Sequence, residues 1–279
     1  MKTRLTITLA DTTLKKIDRI VDRKIIRNRS HAIEQLVEQS LRPMITTAIL
    51  LAGGPVDDSA KDESHHSLPR ALTVVNDKPL ILDTIDLLKK HGFTNLIVAT
   101  NPAGRAIAEL LGDGHKYGMT FSYLYEDQPL GTAGAVKRAV DHINDATFLI
   151  MAGDILTTID LTEFVNFHHH YQALVTMAVK PLPTQQSFDN VLVQGHTVVD
   201  FRASQPGEVV SIVNTGIYLF EAEVVKLIPD HRPAELERDV FPQLAQTGKI
   251  LAYPFQGVWF DVSSDTSYQK ISKQEREAA

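Results

Sequence analysis

From Arg4 to Leu9 the chain reads RLTITL. The strict alternation sets Leu5, Ile7 and Leu9 on one side and Arg4, Thr6 and Thr8 on the other, which predicts a strand with one buried face. The period then lengthens. Asp11 is placed to cap a helix carrying Leu14, Ile17, Ile20 and Val21, and RNRS breaks that pattern. Ser30 is placed to cap a second helix with Ile33, Leu36, Val37 and Leu41 on one side, and Pro43 stops it. From Ile45 onward the texture alternates. TTAILLA, NLIVAT, MTFSYLYE and TFLIMAGD read as buried strands; LILDTIDLLKKHG, RAIAELLGDG and GAVKRAVDHI read as helices, the first two closed by Gly92 and Gly112. ALVTMAVKP, NVLVQ, TVVDFRAS and NTGIYLFE follow as strands of a mixed layer. The expected class is α/β: a Rossmann-like, mostly parallel sheet preceded by a small β-α-α module.

One strand and two helices cannot close a core in about forty residues, and a lone strand leaves its edge unpaired. Two chains that pair strands and interleave helices remove both problems. Charge separates the same two regions. Residues 1–42 hold ten Lys/Arg and five Asp/Glu, against 18 and 29 in the rest of the 279-residue chain. A basic head on an acidic body implies two modules with different partners, 1–43 and 44–279. The absence of cysteine excludes disulfides and thiolate metal sites. No run approaches the roughly 18 apolar residues of a membrane span, and MKTRLTITLADTT lacks a continuous apolar leader. A cytoplasmic protein with no membrane partner is expected.

RLTITLAD, the Leu14/Ile17 helix and NRSHAIEQLVEQSL together resemble the ribbon-helix-helix family of DNA-binding proteins. The resemblance implies a homodimer paired through the N-terminal strand, or a dimer of dimers on an operator. Arg4, Thr6 and Thr8 would then face bases, and Arg29 and Ser30 a phosphate at a helix N-terminus. The plainer alternative is a dimerisation arm with a solvated basic face.

Residues 46–273 resemble the sugar-1-phosphate nucleotidyltransferases through LAGG, PLGTAGA, GD, NTGIYLFE, LERDVFPQL and WFDVSS in that order. This resemblance implies a nucleotide pocket beyond the strand ends at Leu51, Ala52, Gly53 and Gly54 and at Gly131, Thr132 and Ala133. It implies a sugar subsite at Asn214 and Thr215, and Mg²⁺ held with ligand by Asp154 and Asp261. His168-His169-His170 reads instead as a solvated helix end.

The cations depart from the family pattern. Where the signature loop continues G-x-G-T/S-R, this chain has Gly54-Pro55-Val56-Asp57-Asp58-Ser59. Pro69-Arg70 stands at the Pro-Lys position, and Ser204-Gln205-Pro206 at the sugar-side E-K-P position. Lys61, His65, His66 and Arg70 are the candidate substitutes. Loss of one transition-state cation costs roughly a hundredfold in rate. Two readings follow: a ligand-responsive DNA-binding regulator with weak or lost catalysis that binds a nucleotide, sugar phosphate or nucleotide sugar, or an active Mg-dependent nucleotidylyltransferase whose head only dimerises. A structural assembly factor is a third, less economical reading.

Overall fold

The computed structural model describes residues 6–41, 45–54, 56–61, 67–75, 77–183, 190–202, 209–230 and 233–262. Arg4, the Arg42-Pro43 junction, His65, His66 and Ser204-Gln205-Pro206 lie outside the described residues. The chain divides into two compact units, Met1–Met44 and Ile45–Ala279.

The first unit holds α1 (Asp11–Ile20) and α2 (Arg29–Leu41). Thr6 to Ala10 are exposed and form no strand in the single chain. Both expected caps are corrected. Ala10 occupies the N-cap of α1 without a side-chain bond, so Asp11 is a first-turn acid complementing the helix dipole. Asn28 precedes α2 and its Oδ1 accepts the His31 amide at 3.0 Å, which puts Ser30 inside the helix. The turn between the helices closes on Asp22, whose Oδ1 accepts the amides of Lys24, Ile25 and Ile26. Arg29 forks onto both oxygens of Asp18 at 2.6 and 2.8 Å, binding α2 to α1.

In the second unit, β1 (Thr47–Ala52) is followed by a hairpin of β2 (Val56–Lys61) and β3 (Ser67–Pro69), then by β4 (Val74–Val75) and β5 (Lys78–Pro79). Helices and strands then alternate through α3 (Leu80–Lys90), β6 (Asn95–Thr100), α4 (Arg105–Leu111), β7 (Thr120–Tyr125), α5 (Gly131–Val140) and β8 (Thr147–Ala152). The chain continues through β9 (Ile155–Thr157), α6 (Leu161–Tyr171), β10 (Val175–Pro183), β11 (Asn190–Gln194), β12 (Thr197–Arg202) and β13 (Val210–Glu221). It closes with α7 (Phe241–Gln246), β14 (Ile250–Pro254) and β15 (Trp259–Asp261).

Nine strands among the described residues form one sheet in the order β10-β14-β12-β11-β13-β8-β1-β6-β7. β1 runs parallel to β6 and β8, and β6 parallel to β7, while β13 runs antiparallel to β8. The near-continuous apolar runs follow from burial on both faces. Ala48 and Leu50 of β1 join Leu149 and Met151 of β8 in one core, whereas Ile49 joins Phe148 and Ile150 in the other. β1 lies between β6 and β8, so the chain leaves it first to one side and later to the other. That reversal opens a crevice beyond the carboxyl ends of the strands.

The triple histidine is corrected. His168 is 1% exposed; Nδ1 lies 2.7 Å from Thr176 Oγ1 and Nε2 3.1 Å from Glu221 Oε1, which also accepts Thr147 Oγ1. Burial lowers its pKa against the opposing pull of Glu221. A neutral ring donating from Nε2 to the acceptor-only carboxylate leaves Nδ1 to accept from Thr176. We expect His168→Ala to cost about 3 kcal/mol, from a cavity plus orphaned polar partners, measured by urea unfolding. Because the folded state resists protonation, His168 contributes stability above its ordinary pKa of 6.5 that is lost as pH falls below it.

Candidate functional site

A cavity of about 810 Å³ crosses the crevice. Its floor follows the sheet order: Gly216 and Tyr218 from β13, Ala152 at the end of β8 and then Asp154, Leu51 of β1 followed by Gly53 and Gly54, Ala99 of β6 followed by Asn101, and Glu126 after β7; Ala52 is buried in the core instead. Pro129, Gly131, Thr132 and Ala135 continue the lining, and Pro233, Glu235 and Glu237 form the rim beside them, with Thr132 bonded to both glutamates. Four carboxylates line it, and no Lys, Arg or His does among the described residues.

The turn after β1 is held from beside it. Thr100 Oγ1 donates to Ala52 O at 3.0 Å, and Asn101 Nδ2 donates to the carbonyls of Gly53 and Gly54 at 3.4 and 3.3 Å. A Cβ on Gly53 would meet the Thr100 backbone at 3.5 Å, an ordinary contact distance, so the turn lies against β6 without demanding glycine there. Gly131 is more tightly constrained. Its φ is +76°, and a Cβ there would lie 2.3 Å from Ala234 O. The same carbonyl accepts the amides of Ala133 and Gly134. Glu235 Oε2 accepts both the amide and the hydroxyl of Thr132 at 2.9 Å. The first amides of α5 are thus satisfied within the protein, and this helix start presents little to a phosphate.

Asp154 and Asp261 are brought together by strand pairing. β15 runs antiparallel to β9 with Asp261 opposite Ile155, and the Val262 amide donates to Asp154 O at 2.9 Å. Burial, then the negative charge of Asp261, push the Asp154 carboxyl up to about 6; its own amide and Arg70 oppose this. Arg70 Nη1 stands 3.8 Å from Asp154 Oδ2. Two hard oxygen donors with unbalanced negative charge fit a divalent cation that takes its remaining ligands from water and phosphate. No group of three or more His, Cys, Asp or Glu suited to a metal occurs among the described residues.

The remaining expected residues are distributed unevenly. Lys61 pairs with Ser67 at the distal end of the hairpin, while Val56 pairs with Pro69 at its base. Arg70, just after the base of the hairpin, is the one of these two that the structure sets beside a carboxylate, 3.8 Å from Asp154, among the described side chains. Asn214 donates to the Tyr218 hydroxyl at 2.7 Å and accepts the Gly216 amide. Thr215 is 1% exposed with its hydroxyl on Ala178 O at 2.7 Å, so it faces into the protein. Glu126, Glu235, Glu237, Tyr218 and Asn101 were not singled out by the sequence. Glu237 sits inside LERDVFPQL and Glu126 just before QPLGTAGA, where an adjacent motif was the available signal.

The nucleotidyl transferase family model matches residues 47–278, and the chain belongs to this family. It is 29% identical over 207 residues to the mannose-1-phosphate guanyltransferase of Yarrowia lipolytica, covering 72% of this chain and 57% of that protein. It is also 29% identical over 225 residues to the UTP–glucose-1-phosphate uridylyltransferase of a Synechocystis strain, covering 73% and 57%. The chain thus spans a little over half the length of these relatives. Among solved structures, HddC from Yersinia pseudotuberculosis complexed with GMP-PN superposes with a TM-score of 0.71 at 18% identity, covering 83% of this chain and all of that one. A putative glucose-1-phosphate thymidylyltransferase from Bacillus anthracis gives 0.72 at 21% identity, covering 83% and 95%. At these identities the structures speak to fold. Among the described residues no helix is long and apolar enough to cross a membrane.

Proposed function

We propose that the second unit binds a nucleotide or nucleotide sugar along the cavity floor together with a divalent cation, and that nucleotidyl transfer in it is slow. The supporting observation is the charge of the wall: Glu126, Asp154, Glu235 and Glu237 line it without a cation among the described residues. A bare triphosphate is repelled there, whereas a diphosphate carrying metal is not. Asp154 and Asp261 would hold Mg²⁺, which when bound neutralises phosphate oxygens. The base would lie over β1, β6 and β7, and the sugar towards Tyr218 and Asn214 of β13. Arg70 supplies one positive charge beside the metal pair. This favours the second reading, an active Mg-dependent nucleotidylyltransferase that makes a nucleotide sugar from a nucleoside triphosphate and a sugar 1-phosphate.

For the first unit we propose dimerisation through the N-terminal strand and binding of a DNA operator. Only Ile17 and Ala32 are buried apolar side chains among its described residues, while Ile7, Leu9, Ile20, Leu36 and Val37 remain exposed. A second copy would cover that face. Thr6 and Thr8 would read bases; Arg29, committed to Asp18, would position the helices instead of gripping phosphate. Ligand in the second unit would shift operator affinity to the extent that it binds one DNA-competence state better than the other.

A pyrophosphate-release assay with Mg²⁺, nucleoside triphosphates and sugar 1-phosphates separates the two readings. Melting temperatures are followed in the same samples. Ligand-raised melting without release supports the sensor; rapid release lost in Asp154→Asn establishes the enzyme.

A further inference from the structure

The segment that carries Asp261 to Asp154 is held from β10, a strand outside the cavity lining. Ala178 of β10 shares a core with Phe255 and Trp259, whereas Val179 belongs to the other core. Side chains alternate along a strand, so Lys180 falls on the Phe255 side. Its Nζ donates to Gly257 O at 2.6 Å and stands 4.9 Å from the centre of the Phe255 ring. Gly257 is exposed, with a φ of +114°, at the bend between β14 and β15. Beyond the bend the chain is stitched to its neighbours. The Val258 amide donates to Thr158 Oγ1 at 2.9 Å, Trp259 Nε1 to Thr215 O at 2.9 Å, and the Val262 amide to Asp154 O.

Holding this bend with a lysine brings the fold little stability. Burial lowers the Lys180 pKa, and no carboxylate pairs with the ammonium among the described residues. Water can satisfy the exposed Gly257 carbonyl almost as well, so the net gain from the bond is small. The ammonium does not act on the carboxylates through space either, since the charges that move the Asp154 carboxyl are those of Asp261 and Arg70. What the bond fixes is geometry. We propose that Lys180 is a positioning residue for Asp261: it sets the bend from which β15 departs, and thereby the approach of Asp261 to Asp154. This role rests on the reading of those two carboxylates as a metal pair. A residue that departs from what the fold alone needs is expected where a site needs it.

The test compares the full chain with Lys180→Met and Lys180→Arg in three measurements. Binding of Mn²⁺ alone, standing in for Mg²⁺, is read by electron paramagnetic resonance of the free ion. Acrylamide quenching reads Trp259, which is the only tryptophan in the chain, 6% exposed and part of β15. Melting temperature is measured in a chelator. Lys180→Met is expected to bind Mn²⁺ roughly tenfold more weakly and to expose Trp259 to quencher, while melting at or above the unsubstituted chain. Lys180→Arg keeps a donor for the carbonyl and is expected to stay within about threefold in Mn²⁺ affinity. Unchanged Mn²⁺ affinity and unchanged quenching in Lys180→Met overturn the proposal. So does a melting temperature that falls together with affinity, which assigns Lys180 to the fold alone. Absence of Mn²⁺ binding by the unsubstituted chain overturns the metal reading instead, and the quenching of Trp259 then decides the placement of β15 by itself.

Discussion

Replacing Asp154 by Asn is expected to remove metal-dependent nucleotide binding, by about a hundredfold or more, while making the unliganded protein more stable. The first effect follows from loss of one of the two hard donors that β9 and β15 set side by side. The second follows from electrostatics. Asp154 has its carboxyl pushed up to about 6 from an ordinary 3.8, first by burial and then by Asp261. The unfolded chain therefore releases this proton more readily than the folded one, and stability falls as pH rises through that window. A shift of about two units bounds the cost near 3 kcal/mol; with the side chain 30% exposed, about 1–2 kcal/mol is expected. Thermal denaturation with a chelator at pH 7.5 and at pH 4 reads it. Asp154→Asn gains at the higher pH and little at the lower. Stability that rises on mutation while binding disappears is the mark of a binding group, since removal of a structural carboxylate lowers both.

Gly131→Ala is expected to damage fold and pocket together. A positive φ strains any L side chain, and the added Cβ would stand 2.3 Å from Ala234 O, a backbone atom that also holds the amides of Ala133 and Gly134. Strain and displacement together are worth about 3 kcal/mol or more. The segment 234–237 must retreat, taking Glu235 and Glu237 from the rim. Urea unfolding reads the first effect and nucleotide titration the second. Gly112→Ala is the control: its φ is also positive, +67°, but a Cβ there meets nothing within 4 Å. It carries the strain without the collision and stays clear of the cavity.

The legible parts of the sequence were those set by local physics. Strands such as TFLIMA announce themselves because both faces are buried, and Gly131 because only glycine tolerates both its positive φ and its close approach to a backbone carbonyl. Asp154 was legible at the end of an apolar strand. The acidic wall was not. Glu235 reads as a surface residue until the chain carries it across 103 positions to the Thr132 amide, a contact with no periodic signal. Thr215 was misjudged for a different reason. Neighbours on a strand face opposite ways, so a motif containing both Asn214 and Thr215 cannot aim both at one pocket. The caps of α1 and α2 slipped by one and two positions because Asp, Asn and Ser cluster there and several choices satisfy the same preference. The proposed pairing of an N-terminal strand would be a property of two chains, which a single chain does not display.

The most direct test is a calorimetric titration of a guanosine diphosphate sugar into the full chain, once with Mg²⁺ and once with a chelator. A cavity lined by carboxylates and depending on metal for its positive charge predicts one ligand per chain in Mg²⁺ and at least tenfold weaker binding in the chelator. Equal affinity in both, or no binding in either, would contradict it.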